Sequence, residues 1–191
     1  MKTIYFIGAD GSGKSSLIDK IQKSDQSKFV KIHFAPGIIK FKKNHNEHNI
    51  NNKIQSPRSS IISLIRLLLW IINIKFFELI KLKSKKIFLF DRGIYDILID
   101  PKRYRYSLPK NITKFFLKFI KKPNYIIFLY GNSELIFSRK NEKSSEEIHE
   151  VNQKYIRFLN DYENSTTFDI SDSLETNFAK AMNIINTVDN I

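Results

Sequence analysis

Five short apolar runs punctuate the chain, at residues 3–7, 29–34, 87–90, 125–130 and 167–170. Each is rich in Ile, Phe, Val or Tyr, too short for a helix, and bounded by polar or turn residues, which is the pattern of buried strands. Between them the apolar positions recur with helical spacing, over residues 15–23, 59–83, 112–121, 133–140, 146–160 and 174–185. Strands alternating with helices predict an α/β fold, a five-stranded parallel sheet covered by helices on both faces. At 191 residues the chain fits a single domain, 1–191, with enough apolar content for a sizeable core. No internal repeat is visible.

Two stretches depart from this alternation. Residues 44–55 carry five Asn, two His and a few charges, with little to bury, and read as a polar, mobile surface loop. His45 and His48 have ligand-like spacing, but a loop this polar gives them no enclosing site. Residues 59–83 are apolar nearly all round for two turns, with Arg66, Lys75, Glu78, Lys81 and Lys83 interspersed. The expected role is a long helix buried between the sheet and its neighbours; a dimer face or a membrane-surface face are the alternatives.

Composition narrows the chemistry. There is no Cys, so disulfides and thiolate metal sites are excluded, and no H-E-x-x-H spacing occurs. The longest unbroken aliphatic or aromatic run in the middle of the chain, residues 67–72, falls far short of the roughly 20 residues that span a bilayer, which argues against a transmembrane chain. The opening Met1-Lys2-Thr3-Ile4-Tyr5 lacks a signal-peptide pattern, so the expected location is cytoplasmic, with contact to the inner face of the membrane as a peripheral variant. The formal charge of +13 calls for an anionic partner, and residues 101–122 hold eight Lys/Arg and no acid. That stretch is either a solvated basic face or a binding surface.

The sharpest motif is Gly8-Ala9-Asp10-Gly11-Ser12-Gly13-Lys14-Ser15, which matches G-x-x-x-x-G-K-[ST] at every fixed position. It follows an apolar strand and opens a helix at Ser15-Ser16, the context the motif requires. Glycines let the backbone curl so that successive N–H groups converge on phosphate oxygens, and the helix adds its positive end. Lys14 supplies a charge near the β and γ phosphates, and the Ser15 hydroxyl is positioned to bind magnesium. ATP with Mg²⁺ is therefore the expected cofactor pair, and the fold is specified further as a three-layer P-loop sandwich. A second motif, Ile87-Phe88-Leu89-Phe90-Asp91-Arg92, ends an apolar strand in an acid at the carboxyl edge of the sheet. Asp91 can organise magnesium or take a proton, and the planar Arg92 fork can clamp a phosphoryl oxygen.

Together, Gly8–Ser15 with its acid at Asp10 and the strand-ending Asp91-Arg92 pair resemble the thymidylate kinase family of nucleoside monophosphate kinases. The resemblance implies that Asp10 contacts an acceptor hydroxyl while Asp91 and Arg92 handle magnesium-bound and acceptor phosphate. It also implies a basic lid at residues 138–150. With Ser12 where some members carry a P-loop Arg, the lid would supply the transition-state cation, for which Arg139 is the candidate. The sequence departs from that family at two places: only Phe34-Ala35-Pro36-Gly37 stands where an Arg-Glu-Pro-Gly-Gly stretch is expected, and Gly93 replaces a Tyr. Residues 95–106 are similar instead to thymidylate-kinase-like proteins associated with bacterial surface-polysaccharide synthesis. Within them Arg103, Tyr104 and Arg105 alternate cations with aromatic rings near the active edge and are candidate acceptor contacts.

The expected activity is ATP-dependent phosphoryl transfer to a small acceptor, either a nucleoside monophosphate or a sugar or glycan. The competing class is a P-loop NTPase with a regulatory, membrane-surface or nucleic-acid-binding role. A guanine-specifying N-K-x-D is not found, and nucleic acid is not an expected partner.

Overall fold

The computed structural model describes residues 1–33, 57–141 and 143–189. The polar loop at 44–55, with His45 and His48, and the Phe34–Gly37 stretch lie outside them. Five strands form one all-parallel sheet in the order β2-β3-β1-β4-β5. They are β1 (Lys2–Ile7), β2 (Phe29–His33), β3 (Ile87–Asp91), β4 (Tyr125–Tyr130) and β5 (Ser165–Asp169). β1 lies centrally between β3 and β4, with Phe6 level with Asp91 on one side and Ile127 on the other. The carboxyl ends of the three inner strands therefore meet at one edge, beside the point where the strand order reverses, which is where ligands bind in open α/β sheets.

Alternation along each inner strand divides the core in two. Tyr5, Ile7, Phe88, Phe90, Ile126 and Phe128 point to one face, and Ile4, Phe6, Leu89, Ile127 and Leu129 to the other. The first face is covered by α2 (Ser60–Lys81), α3 (Asp96–Ile99), α4 (Lys110–Leu117) and α6 (Ser145–Leu159), and the second mainly by α1 (Lys14–Ser24) and α7 (Leu174–Asp189). A short helix, α5 (Ser133–Arg139), follows β4 and anchors Ile136 in the second core. Continuous apolar strands were the sequence signal, and burial on both faces is its cause.

Boundaries moved where polar residues take part in pairing. β5 begins at Ser165 rather than at residue 167, because the backbone of Ser165 and Thr166 pairs with Ile126 and Ile127. The four-residue α3 has no periodic run long enough to announce it. α6 starts with a capping box in which Ser144 and Glu147 exchange side-chain and backbone hydrogen bonds, a stop that fixes where the preceding link ends.

The expectation of a fully buried helix at 59–83 is corrected. Only Ser63, Leu67, Trp70, Ile74 and Phe77 of α2 are buried, a single stripe at spacings of three and four. Ile61, Ile65, Leu69, Ile72, Phe76 and Leu79 on the outer face are 52–72% exposed. A helix laid on one sheet face covers only one stripe, and no second layer lies over α2 among the described residues. Isolated charges interrupt the apolar run, yet α2 has the length and, at a mean hydropathy of 1.9, the composition of a bilayer-crossing helix. Its inner stripe nevertheless packs on the sheet.

Candidate active site

The turn after β1 is shaped by backbone that only glycine adopts without strain. Gly11 and Gly13 have φ of 88° and 85°. Gly13 caps α1 with no side-chain hydrogen bond, so the first N–H groups of that helix remain available to an anion. Lys14 is buried and turns back over the loop, donating to the Ala9 carbonyl at 2.6 Å and to Ser12 Oγ at 3.1 Å. Burial, with Arg92 nearby, brings its pKa down to about 7. Phosphate oxygens at this position would relieve the uncompensated charge.

Ser15 Oγ donates to Asp91 Oδ2 at 2.7 Å, joining the P-loop helix to the end of β3. Burial raises the affinity of Asp91 for a proton, but a hydrogen bond from His33, the charge of Lys14 and the Ser15 hydroxyl outweigh it and hold the carboxyl well below the usual carboxylate range. His33 Nδ1 lies 3.5 Å from the same oxygen. Among the described residues no group of three or more His, Cys, Asp or Glu is placed to hold a metal. One hydroxyl and one ionised carboxylate nevertheless fit Mg²⁺, which binds hard oxygens and keeps several ligands for water and phosphate.

The other half of the site is a chain of alternating charges. Arg92 is 5% exposed and adopts φ 71°, a left-handed conformation that costs a non-glycine residue roughly 1–2 kcal/mol. It is held there from both sides, by Asp10 and by Asp96 at 3.4 Å, while Arg103 pairs with the second oxygen of Asp10. Burial pushes the Asp96 carboxyl up to about 6 against the opposing pull of Arg92 and Lys14. Tyr155 of α6 closes the floor, with Gly8, Ala9, Asp100 and Lys143 lining the same small cavity as Asp10 and Arg92. Lys143 bonds Asp100, tying the 138–150 segment to the residues after α3.

Several sequence expectations meet here and others do not. Asp10, Lys14, Ser15, Asp91, Arg92 and Arg103 form one contiguous group, whereas Ser16 sits exposed on the first turn of α1. Tyr104 is not presented to solvent; it is 4% exposed, with Trp70 edge-on at 6.2 Å. Arg105 lies behind it, its carbonyl accepting from the Arg58 N–H at 3.1 Å. Arg139 donates instead to the Ile170 carbonyl at 3.4 Å, beyond β5. The neighbouring Lys140 is the cation against the P-loop, its Cβ 3.1 Å from where a Cβ on Gly11 would stand. Lys140 and Lys143 fall within the expected basic lid but were not distinguished from Arg139; Asp96, Asp100 and His33 were not expected, and of these only Asp96, four residues after Arg92, left a signal. Gly93, noted as a departure, has a steric reason, since a Cβ there would sit 2.3 Å from the Tyr5 ring.

No family model and no curated protein matches the chain. Solved structures do resemble it. A deoxyadenosine kinase from M. mycoides, with dCMP and dCDP bound, superposes with a TM-score of 0.63 at 16% identity, covering 97% of this chain and 99% of that one. Thymidylate kinase from Candida albicans gives 0.63 at 18% identity, covering 97% and 91%. YorR protein from Bacillus subtilis, in complex with phosphorylated GDP, gives 0.59 at 13%, covering 97% and 96%. The chain shares the α/β P-loop fold of these structures.

Proposed function

We propose that the chain is an ATP-dependent phosphotransferase that moves the γ-phosphoryl group to a small acceptor bearing a hydroxyl and an anionic group. The observation that carries this reading is the 2.7 Å bond from Ser15 to Asp91, which joins the P-loop to the strand-end carboxylate beside the Arg92 cluster. Ser15 and Asp91 would hold magnesium, which would supply positive charge to offset that of the phosphates. Lys14 and the α1 N-terminus hold the nucleotide phosphates, and Lys140, the cation of the 138–150 segment that lies against the P-loop, supplies charge to the transferring group. Arg92 and Arg103 flank Asp10, an arrangement suited to a ligand that offers a hydroxyl to the acid and a phosphate to the guanidinium groups. A nucleoside monophosphate has both features, and the neighbouring folds bind nucleotides. Sugar phosphates and lipid-linked glycans share the hydroxyl-plus-phosphate chemistry. dTMP is expected to be a poor acceptor, because Gly93 brings no phenol to the site and the Arg and Glu expected after β2 are absent.

The test is a transfer screen with labelled ATP against nucleosides, nucleoside monophosphates, sugar phosphates and lipid-linked glycans. Transfer to one class, lost in Asp91→Asn while ATP still binds, supports the reading. ATP binding without transfer to any acceptor, or an Asp91→Asn protein with normal turnover, overturns it.

A further inference from the structure

The excess positive charge of this chain is concentrated in two segments that lie side by side. Residues 58–86 and 101–122 together hold fifteen of the 32 Lys/Arg and one of the 19 acids; everything else carries seventeen basic and eighteen acidic residues. The +13 of the whole protein is therefore a property of α2, α4 and their flanks. The one acid, Glu78, is already paired with Lys75 at 3.2 Å. Both helices cover the same sheet face. Ser63 of α2 meets Ser107 at 3.1 Å, Trp70 meets Tyr104, and Ile74 and Phe77 share a groove with Lys121 and Lys122.

The outward surface of this pair is apolar in the middle and basic around it. α2 exposes a band of Ile, Leu and Phe along its length. α4 and the turn after it expose Ile112, Phe115 and Phe119, at 42%, 56% and 57%, with the two Phe rings edge-on at 5.7 Å. Lys110, Lys114 and Lys118 run beside them at four-residue spacing, all exposed. Lysine stems can lie along such a surface while their ammonium groups reach outward.

We propose that the outer face of α2 and α4 docks the protein on an anionic lipid bilayer, with the aliphatic and aromatic side chains in the interfacial layer and the lysines on lipid phosphates. Charge decides among the occupants. Pairing with a second copy through this face would bring two strongly basic surfaces together with almost no acid to offset them. Nucleic acid would satisfy the lysines but leave an aliphatic band facing phosphate and water. An anionic membrane surface satisfies both components, as it does for amphipathic helices that lie in the interface. Flotation with phosphatidylcholine vesicles, with and without phosphatidylserine, tests this on the full chain.

Partition onto phosphatidylserine vesicles that weakens with salt is expected. Lys114→Gln with Lys118→Gln should reduce it on the order of 30-fold, since each basic side chain near an anionic surface contributes about fivefold. Phe115→Gln with Phe119→Gln should also reduce it, and these side chains are exposed enough that circular dichroism and ATP binding should stay unchanged. Equal binding to neutral vesicles, or no vesicle binding, overturns the proposal. So does a stable dimer in sedimentation that Ile72→Gln with Phe76→Gln dissociates while vesicles remain unbound.

Discussion

The two halves of the candidate site are built by different means. The half proposed for the nucleotide is local: Gly8 to Ser15 is one turn between one strand and one helix, and the groups it offers to an anion are mostly backbone. The half proposed to face the acceptor is assembled from afar, with Asp10 from the loop, Arg92 and Asp96 from the end of β3 and the start of α3, Arg103 from the following turn and Tyr155 from α6. A local device can be recognised from spacing alone and tolerates a changed periphery. An assembled one depends on every contributor being held, and its specificity can change with any of them. The first half should therefore behave as an all-or-none element, and the second as a tunable one.

Lys14→Ala is the sharpest way to break the first half. It removes the charge closest to the nucleotide phosphates, and turnover should fall on the order of 1,000-fold, the scale of losing a preorganised electrostatic partner. The fold should survive, because the buried ammonium it removes is already disfavoured by desolvation. A folded Lys14→Ala protein with normal turnover would contradict the assignment of this loop to ATP.

Asp91→Asn tests the junction between the halves. It keeps shape and the Ser15 contact but loses the charge proposed to organise magnesium, so turnover should drop about 100-fold and the Mg²⁺ concentration needed should rise. Within the second half the expected effect is smaller and differently distributed. Arg92→Lys keeps the charge but cannot hold Asp10 and Asp96 at once, so the acceptor KM should rise roughly tenfold or more while ATP affinity changes little. A variant that loses ATP affinity instead would mean that the division between the halves is wrong.

The same contrast explains what was legible in the sequence. Parallel strands buried on both faces announce themselves as apolar runs, and the P-loop as fixed spacing, because both are written in consecutive residues. The placing of Asp96, Asp100, Lys140 and Lys143 is not, since pairs such as Lys143 with Asp100 bridge 43 positions and exist only after α6 packs beside α3. Arg139 was singled out as the lid's arginine, yet helical phase turns it to the Ile170 carbonyl and leaves Lys140 by the P-loop. Helix α2 misled for another reason. Apolar residues all round mean burial only if something covers every side, and a sheet covers one.

The halves are also coupled, and the coupling can be measured. The Lys14 pKa is drawn down to about 7 by burial first and by Arg92 second, so a residue of one half contributes to the protonation of a residue of the other. Bound phosphate restores the charged form. At pH 8 the free chain should hold a proton on Lys14 in only about a tenth of molecules, so ATP binding should take up close to one proton; at pH 6 uptake should be about a tenth. Calorimetric titrations in two buffers of different ionisation enthalpy give this number directly. The stability sign follows from the same shift: the unfolded chain binds the proton more tightly, so this group favours folding increasingly as pH rises from about 7 towards 10. Arg92→Gln removes the second cause and should move the uptake window to higher pH, lowering the proton count at pH 8. If uptake at pH 8 were absent, or were unchanged in Arg92→Gln, the two halves would be electrostatically independent.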